Sequence, residues 1–91
     1  MKPVLITTEY RGVFFGYAED TSGDTVLLRD ARNCIYWSAD VKGFLGLAVT
    51  GPSKNCRIGP KVPLFEARKV TSVTEVTEEA VKQWEAAPWK S

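Results

Sequence analysis

The residues best suited to binding a charged ligand lie in one short segment, residues 51–60, with the sequence Gly-Pro-Ser-Lys-Asn-Cys-Arg-Ile-Gly-Pro. Glycine and proline favour an irregular backbone, and such a backbone can direct several amide N–H groups at one anion. Lys54 and Arg57 supply the positive charge that a phosphate needs, while Ser53 and Asn55 supply hydrogen bonds. The segment, called the basic loop below, predicts a phosphate cradle. A solvated surface loop is the alternative.

The basic loop does not follow the known phosphate-binding motifs. A Walker loop needs Gly-Lys followed by Ser or Thr before a helix, and a dinucleotide-binding turn needs three glycines at fixed spacing. Neither pattern occurs in this segment. The residue types therefore indicate anion binding without naming the ligand.

Aromatic residues form a second group, because Tyr36 and Trp37 are adjacent, as are Phe14 and Phe15. Neighbours on a strand point to opposite sides of a sheet, so one residue of each pair needs a second covering surface. For Phe14 and Phe15 we expect a helix or another subunit to provide it. Tyr36 and Trp37 carry polar atoms suited to a half-buried site, where one of them would stack on a base.

Arginines near turns are a third group. Arg11 precedes Gly12 at a predicted turn, and Arg29 and Arg32 flank Asp30. An anion clamp and local pairing with nearby carboxylates both explain them, and local pairing is the commoner arrangement. The predicted ligand-binding set is Arg11, Tyr36, Trp37, Ser53, Lys54, Asn55 and Arg57.

Catalysis has little support in the sequence. Histidine is absent, so the commonest general base and the commonest metal ligand are both missing. Cys34 and Cys56 have no histidine to activate them and are expected to be free thiols packed as small apolar groups. The carboxylates show no spacing typical of an acid/base pair. We therefore predict no catalytic residues, no metal site and no cofactor, and the protein is not expected to be an enzyme.

Length and charge limit the remaining classes. A chain of 91 residues predicts a single domain over 1–91, and domains of this size often gain stability as homo-oligomers. The net charge of +1 argues against a general nucleic-acid binder. No stretch has the length of a membrane span and no signal segment is evident, so a cytoplasmic location is expected.

The pattern of apolar residues predicts an α+β protein that is mostly β, built as a small antiparallel sheet or an open barrel. Strands are expected at 4–8, 12–19, 25–29 and 33–37, with one or two more over 62–76. The segment 12–29 is expected to form a hairpin. A short helical turn is expected near 39–47. A C-terminal helix is expected near 77–87, with Thr77 as its N-cap and acidic residues in its first turn.

Three motifs, RGVFFGY at 11–17, NCIYWS at 33–38 and GPSKNCRIGP at 51–60, resemble a family of small phage and prophage proteins of unassigned function. The segment VTEVTEEAV at 73–81 is similar to that family as well, so the resemblance covers most of the chain. It implies a viral accessory protein made inside a bacterium. By analogy, such proteins often counter host defence, and some sequester cyclic nucleotide signals in pockets at subunit interfaces.

The residues and the resemblance together predict a phage anti-defence protein that sequesters a nucleotide-derived signalling molecule without cleaving it. Its expected partners are that ligand and further copies of the chain. Two alternatives stay open. One is an inhibitor that blocks a host defence effector or nuclease through an exposed aromatic surface. The other is a small domain that binds single-stranded nucleic acid through the same groups.

Overall fold

A computed structural model describes residues 1–90, and Ser91, the last residue of the predicted domain, lies outside the described residues. The regular elements in chain order are six strands and two short helices: β1 (Lys2–Thr8), β2 (Val13–Ala18), β3 (Val26–Tyr36), α1 (Gly46–Val49), β4 (Arg57–Ile58), β5 (Val62–Ala67), β6 (Val70–Glu75) and α2 (Glu78–Ala86). A 3-10 turn, Ala39–Val41, precedes α1.

The strands form one antiparallel sheet in the order β4-β3-β2-β1-β6. The long strand β3 has two partners on its second edge, because β5 pairs with its first half and β4 with its last residues. β5 and β6 follow each other across a tight turn at residues 68–69, yet no ladder joins them within residues 1–90. The sheet is therefore open, which confirms the predicted fold class.

A β-bulge corrects the prediction of separate strands at 25–29 and 33–37. Phe15 pairs with Arg32 and Tyr17 with Arg29, so Gly16 faces two residues of β3 instead of one. Asp30 accommodates the extra residue with φ of 51°, a left-handed conformation that aspartate adopts more readily than most residues. β3 is therefore one continuous strand. At Asp30 its side chains exchange the sides of the sheet to which they point.

Apolar side chains cover both sides of the sheet. The side that faces α2 carries Leu5, Phe15 and Cys34, which pack with Leu47 and Trp84. The opposite side carries a second buried cluster, composed of Val4, Ile6, Ala18, Val26, Leu28, Ala31 and Ala67. Phe14 and Phe15 point to opposite sides, as strand geometry requires: the ring of Phe15 stacks on Trp84 at 5.1 Å, and Phe14 lies 4.6 Å from Phe65.

The C-terminal helix α2 lies close to its predicted position. The Thr77 hydroxyl accepts the N–H of Ala80 at 3.1 Å and donates to the Val49 carbonyl at 2.6 Å, so one residue caps the helix and anchors it to α1. Trp84 is fully buried, and its indole N–H donates to the Leu47 carbonyl at 2.9 Å. These contacts hold α2 across the sheet.

The helical turn predicted near 39–47 is divided into two pieces. Lys42 and Gly43 both have positive φ, 64° and 95°, and this stops the 3-10 turn before α1 begins. Gly51, with φ of 82°, then starts the basic loop against α2, where an added Cβ would lie 2.6 Å from the Cβ of Gln83. Among the helices within residues 1–90, none is long and apolar enough to cross a membrane.

Candidate functional site

Strand pairing brings the aromatic motif and the basic loop together. Residues of the basic loop form β4, which pairs with the end of β3 so that Cys34 faces Ile58 and Tyr36 faces Arg57. The basic loop is therefore not entirely irregular, since Arg57 and Ile58 complete a ladder. As a consequence, the Tyr36 ring and the Arg57 guanidinium belong to neighbouring strands at one edge of the sheet.

The segment after α2 adds two further residues to this edge. Trp89 forms an isolated parallel bridge with Ile58, and the Lys90 N–H donates to the Ile58 carbonyl at 3.0 Å. The Lys90 ammonium donates to the Lys54 carbonyl at 2.9 Å. Tyr36 is 52% exposed and Trp89 67% exposed. Aromatic and cationic groups thus share one surface, which we call the loop edge: residues 36–37, 53–57 and 89–90.

A pocket of about 170 Å³ opens between the basic loop and the end of α2. Its polar lining residues are Ser53, Lys54, Gln83 and Lys90, and Cys56 and nearby Pro and Ala residues complete it. We call it the loop pocket. Its polar groups are those that a phosphate or another small anion would contact.

Hydrogen bonds within the basic loop give Asn55 a structural task. Its amide N–H₂ donates to the Asp40 carboxylate at 3.3 Å, and Ser38 donates to the same carboxylate. Hydrogen bonds from Ser38, Ser53 and Asn55 lower the pKa of Asp40. The Ser53 hydroxyl lies 3.3 Å from the Ser38 hydroxyl and accepts the N–H of Asn55 at 3.3 Å. Asp40 thereby braces the loop, and two predicted phosphate donors, Ser53 and Asn55, are engaged with it.

The loop edge carries unpaired positive charge. The ion pairs within residues 1–90 involve Lys2, Lys61, Arg68 and Lys69, all outside the loop edge. Within residues 1–90, no ion pair involves Lys54, Arg57 or Lys90. The carboxylate that joins the hydrogen-bond network of the basic loop is Asp40. Three cations against one carboxylate leave the surface positive, which favours an anionic ligand.

Arg11 lies outside the loop edge, and neither Arg11 nor Trp37 lines the loop pocket. Arg11, with φ of 63°, is in the turn between β1 and β2. Because Phe14 pairs with Asn33, that turn is at the same end of the sheet as Tyr36. Trp37 directly follows β3 and is 36% exposed. Of the predicted ligand set, Ser53 and Lys54 line the pocket, and Tyr36 and Arg57 lie on the adjoining ladder.

Arg32 lies beneath the loop edge and is not available to an external anion. Its side chain is buried, and it donates to the carbonyls of Gly59 at 2.9 Å, Trp84 at 2.8 Å and Ala87 at 2.5 Å. One guanidinium therefore joins the end of the basic loop to the last turn of α2. This fixes the start of the segment that brings Trp89 and Lys90 to the site.

Both cysteines are free and buried, so their thiols contribute packing. Burial, together with the neighbouring Cys56, raises the pKa of Cys34 to about 12, which keeps it protonated. The Cys56 sulfur lies 3.7 Å from the Ser53 hydroxyl and 3.8 Å from the Ser38 hydroxyl. In the described part of the chain, no three residues of the metal-ligating types converge on one point.

Sequence reasoning missed Gln83, Trp89 and Lys90. Gln83 resembles any other polar residue on the polar face of a helix, so its sequence position carries no signal. Trp89 and Lys90 follow Pro88, beyond the predicted end of the helix. Their role depends on the bridge to Ile58, a contact between distant parts of the chain that no local pattern indicates.

These features define a small, mostly β protein of the α+β class with cationic and aromatic side chains at the loop edge. The chain belongs to the family described as "Domain of unknown function (DUF6948)", whose profile matches residues 1–84. The match includes the basic loop and Gln83, but Trp89 and Lys90 lie beyond it. No curated protein and no solved structure matches the chain.

Proposed function

We propose that this protein binds and sequesters a phosphate-bearing, nucleotide-like small molecule at the loop edge without cleaving it. The observation that carries the proposal is the convergence of Lys54 and Lys90 on one pocket that also contains the Ser53 hydroxyl. The two lysines come from distant parts of the chain, and the lining residues within 1–90 include no Asp or Glu. Such an arrangement costs electrostatic free energy that a bound anion would recover.

The expected ligand has an anionic group and a ring. The anionic group would occupy the loop pocket, with Lys54 and Lys90 neutralising it. Ser53 would donate to it only in place of its hydrogen bond to Asp40. The ring would stack on one of the exposed aromatic residues, Tyr36 or Trp89, beside Arg57. A nucleotide combines both groups, which makes this class a better match than inorganic phosphate alone.

Binding without turnover is proposed because the site offers poor acid/base groups. The nearest carboxylate in the hydrogen-bond network is Asp40, and its lowered pKa makes it a weak general base. Lys54, Lys90 and Arg57 would act as electrostatic partners of the anion. The expected result of binding is therefore capture of an intact molecule.

The biological setting is a second part of the proposal. The resemblance of RGVFFGY, NCIYWS and GPSKNCRIGP to small phage proteins supports a viral accessory protein that acts in the host bacterial cytoplasm. Capture of an immune signal would then oppose host defence. This setting depends on the sequence resemblance alone, whereas ligand capture depends on the loop edge.

The test is a thermal-shift screen of the purified protein against cyclic dinucleotides, cyclic trinucleotides and cyclic ADP-ribose isomers, followed by calorimetry on any hit. A bound ligand should raise the midpoint of unfolding and be recovered intact after denaturation. Failure of every anionic compound to shift the midpoint would refute the proposed class of ligand.

Variants test where a hit binds. Lys54→Ala, Lys90→Ala and Arg57→Ala are each expected to weaken binding about tenfold, the loss of one charge-assisted contact, while leaving the fold intact. Lys82→Ala is the matched control, because Lys82 is an exposed cation of α2 that does not line the loop pocket. Equal affinity in the three variants and the control would place the ligand elsewhere.

A second candidate is an inhibitor that binds a host protein through the aromatic surface. The exposure of Trp89 and of Ile35, which is 48% exposed, favours this alternative, since large apolar groups concentrate at interfaces. A Trp89→Ala variant that loses a copurifying host protein, while Lys54→Ala retains it, would favour the inhibitor over the small-molecule binder. Steep salt dependence with a single-stranded oligonucleotide would indicate the nucleic-acid alternative.

A further inference from the structure

A pocket of about 270 Å³ opens on the side of the sheet that faces away from α2. Its walls include the rings of Phe14 and Phe65, whose centroids lie 4.6 Å apart, together with Val62 and Pro60. Asn33 also lines it. It shares no residue with the loop pocket, which is formed with α2. We call it the ring pocket.

Strand register places a small residue among the larger side chains of the ring pocket. Phe14 pairs with Asn33 across β2 and β3, and Ala31 pairs with Val62 across β3 and β5. Residues directly opposite each other in a ladder share one side of the sheet, so all four side chains point to the same side. Ala31 contributes only a methyl group and therefore leaves room for a ligand beside the rings.

Asn33 is the polar side chain of the ring pocket that is available to a ligand. Its main-chain carbonyl accepts the Gly59 N–H at 2.9 Å, and its amide oxygen lies so close to Gly59 that a side chain there would collide with it. No side-chain hydrogen bond within residues 1–90 engages the Asn33 amide. Arg32 lines the pocket too, but its guanidinium is bound to the carbonyls of Gly59, Trp84 and Ala87.

Arg57 adds a positive charge on the same side of the sheet. Ile58 packs in the buried cluster under α2, so its neighbour Arg57 points to the opposite side, which is that of the ring pocket. The chain passes from Arg57 to Pro60 within three residues, and Arg57 is exposed. No ion pair in the described part of the chain involves Arg57. A phosphate attached to a ring in the pocket would therefore find an unpaired cation nearby.

We propose that the ring pocket binds the base of a nucleotide, with the base packed on Phe14 and Phe65 and its edge hydrogen-bonded to Asn33. Arg57 then faces the phosphate. Aromatic side chains stack on any base, whereas an amide, which offers a donor beside an acceptor, matches the N6 and N7 groups of adenine. An inorganic anion would not use the rings, and an aliphatic side chain would not use the amide. The inference goes beyond the proposed function, because it concerns a different pocket.

The experiment is an NMR titration of the full ¹⁵N-labelled chain with adenosine, which carries no phosphate and therefore tests the ring pocket without an anion. We expect saturable shifts of the Asn33 and Gly59 amide signals with a Kd of about 1 mM. Adenosine 5′-monophosphate should bind about tenfold more tightly, and Arg57→Ala should remove that difference. Asn33→Leu, which keeps the size of the side chain, should weaken adenosine binding about tenfold.

A matched pair of variants tests the location of binding. Val62→Trp fills the ring pocket and should abolish the shifts, whereas Val73→Trp, outside the pocket, should preserve them; both valines are strand residues that are 37% exposed. The dispersion of each spectrum reports whether the variant is folded. No shift at about 10 mM adenosine, equal binding by the two tryptophan variants, or unchanged binding by Asn33→Leu overturns the proposal. Equal affinity for adenosine and its monophosphate overturns it as well.

The titration also separates this inference from the proposed function. Adenosine binding in a protein that no anionic compound stabilises would support the ring pocket and refute the loop-edge ligand. An anion that depends on Lys54 and Lys90, in a protein that does not bind adenosine, would support the loop-edge ligand and refute the ring pocket.

Discussion

At the residue scale, Arg32 is the charged side chain that the described residues bury most deeply, at 5% exposure. Burial lowers the pKa of Arg32, and the nearby Glu85 opposes that shift. The guanidinium is held by main-chain carbonyls, two of which belong to the last turn of α2 and the residue after it. A cation at a helix C-terminus is favourable, and three charge-assisted hydrogen bonds offset its desolvation.

Replacement of Arg32 by alanine should therefore be costly. Arg32→Ala leaves the carbonyls of Gly59, Trp84 and Ala87 buried without donors, and we expect a loss of about 3 kcal/mol in the free energy of unfolding. Urea denaturation measures it. Arg29→Ala is the matched control, an exposed arginine of the same strand, and should change the free energy by less than about 0.5 kcal/mol. Equal effects of the two changes would show that the carbonyl contacts contribute nothing.

Two groups with raised pKa predict a loss of stability in alkali. Burial, with a hydrogen bond to Glu85, raises the pKa of Tyr17 from 10.0 to about 12, and burial raises that of Cys34 from 9.0 to about 12. Between the unfolded and the folded pKa the folded state holds the extra protons, so the free energy of unfolding falls as pH rises from about 9 to 12.

The measurement is urea unfolding at pH 8 and at pH 11. The double variant Tyr17→Phe/Cys34→Ala should lose less stability between the two pH values than the unmodified chain, whatever its stability at pH 8. A decline of the same size in both proteins would mean that other groups cause the alkaline transition.

At the scale of elements, the bulge at Asp30 decides which side of the sheet the second half of β3 presents. Val26 and Leu28 face the buried side away from α2, and after the bulge Ala31 takes that side, while Arg32 and Cys34 turn toward α2. Without the extra residue, Arg32 would point away from the helix whose carbonyls it binds. The bulge and the buried arginine therefore depend on each other.

The backbone at Asp30 can be tested by two substitutions of opposite effect. Asp30→Val should lower the free energy of unfolding by about 1–2 kcal/mol, because a β-branched residue resists positive φ even though valine favours strands. Asp30→Gly should leave the free energy unchanged or raise it slightly, since glycine adopts that conformation freely. Thermal or urea unfolding of both variants gives the comparison. A more stable valine variant would contradict the left-handed conformation.

Much of the secondary structure could be predicted from local patterns. The Thr77 cap and the apolar spacing up to Trp84 place α2 correctly. β2 lies within its predicted range and β1 begins two residues before its own, at Lys2, because alternation and turn residues are local signals. The continuity of β3 could not be predicted, because Asp30 looks like a turn residue and its role depends on the facing Gly16. The pairing of β4 with β3 could not be predicted either, because it joins residues that are distant in the chain and no local pattern indicates it.

The candidate site could be predicted only in part, because contacts between distant parts of the chain place several of its residues. The residue types of the basic loop predict an anion ligand, and Ser53 and Lys54 both line the loop pocket. The Asn55 amide is directed to Asp40, a contact that depends on how the 3-10 turn is folded against the loop. Lys90 reaches the pocket only because Arg32 fixes the end of α2.

At the scale of the whole molecule, Trp84 closes the side of the sheet that faces α2. Its ring stacks on Phe15 and its N–H is satisfied by Leu47, so one side chain joins β2, α1 and α2. Trp84→Ala should lower the free energy of unfolding by about 4 kcal/mol through the lost burial and the cavity. Urea denaturation measures this. Trp89→Ala is the control, since its exposed ring should contribute less than about 0.5 kcal/mol. Similar losses for both would contradict the assigned burial.

The late position of Trp84 in the chain has a consequence for biosynthesis. While the ribosome still holds residues 77–87, the sheet has neither its tryptophan cover nor the carbonyl partners of Arg32. A nascent chain at that stage displays one side of its sheet as an apolar surface, the kind of surface that chaperones recognise and that drives aggregation. Folding of this protein is therefore expected to be completed only after residues 77–87 have left the exit tunnel.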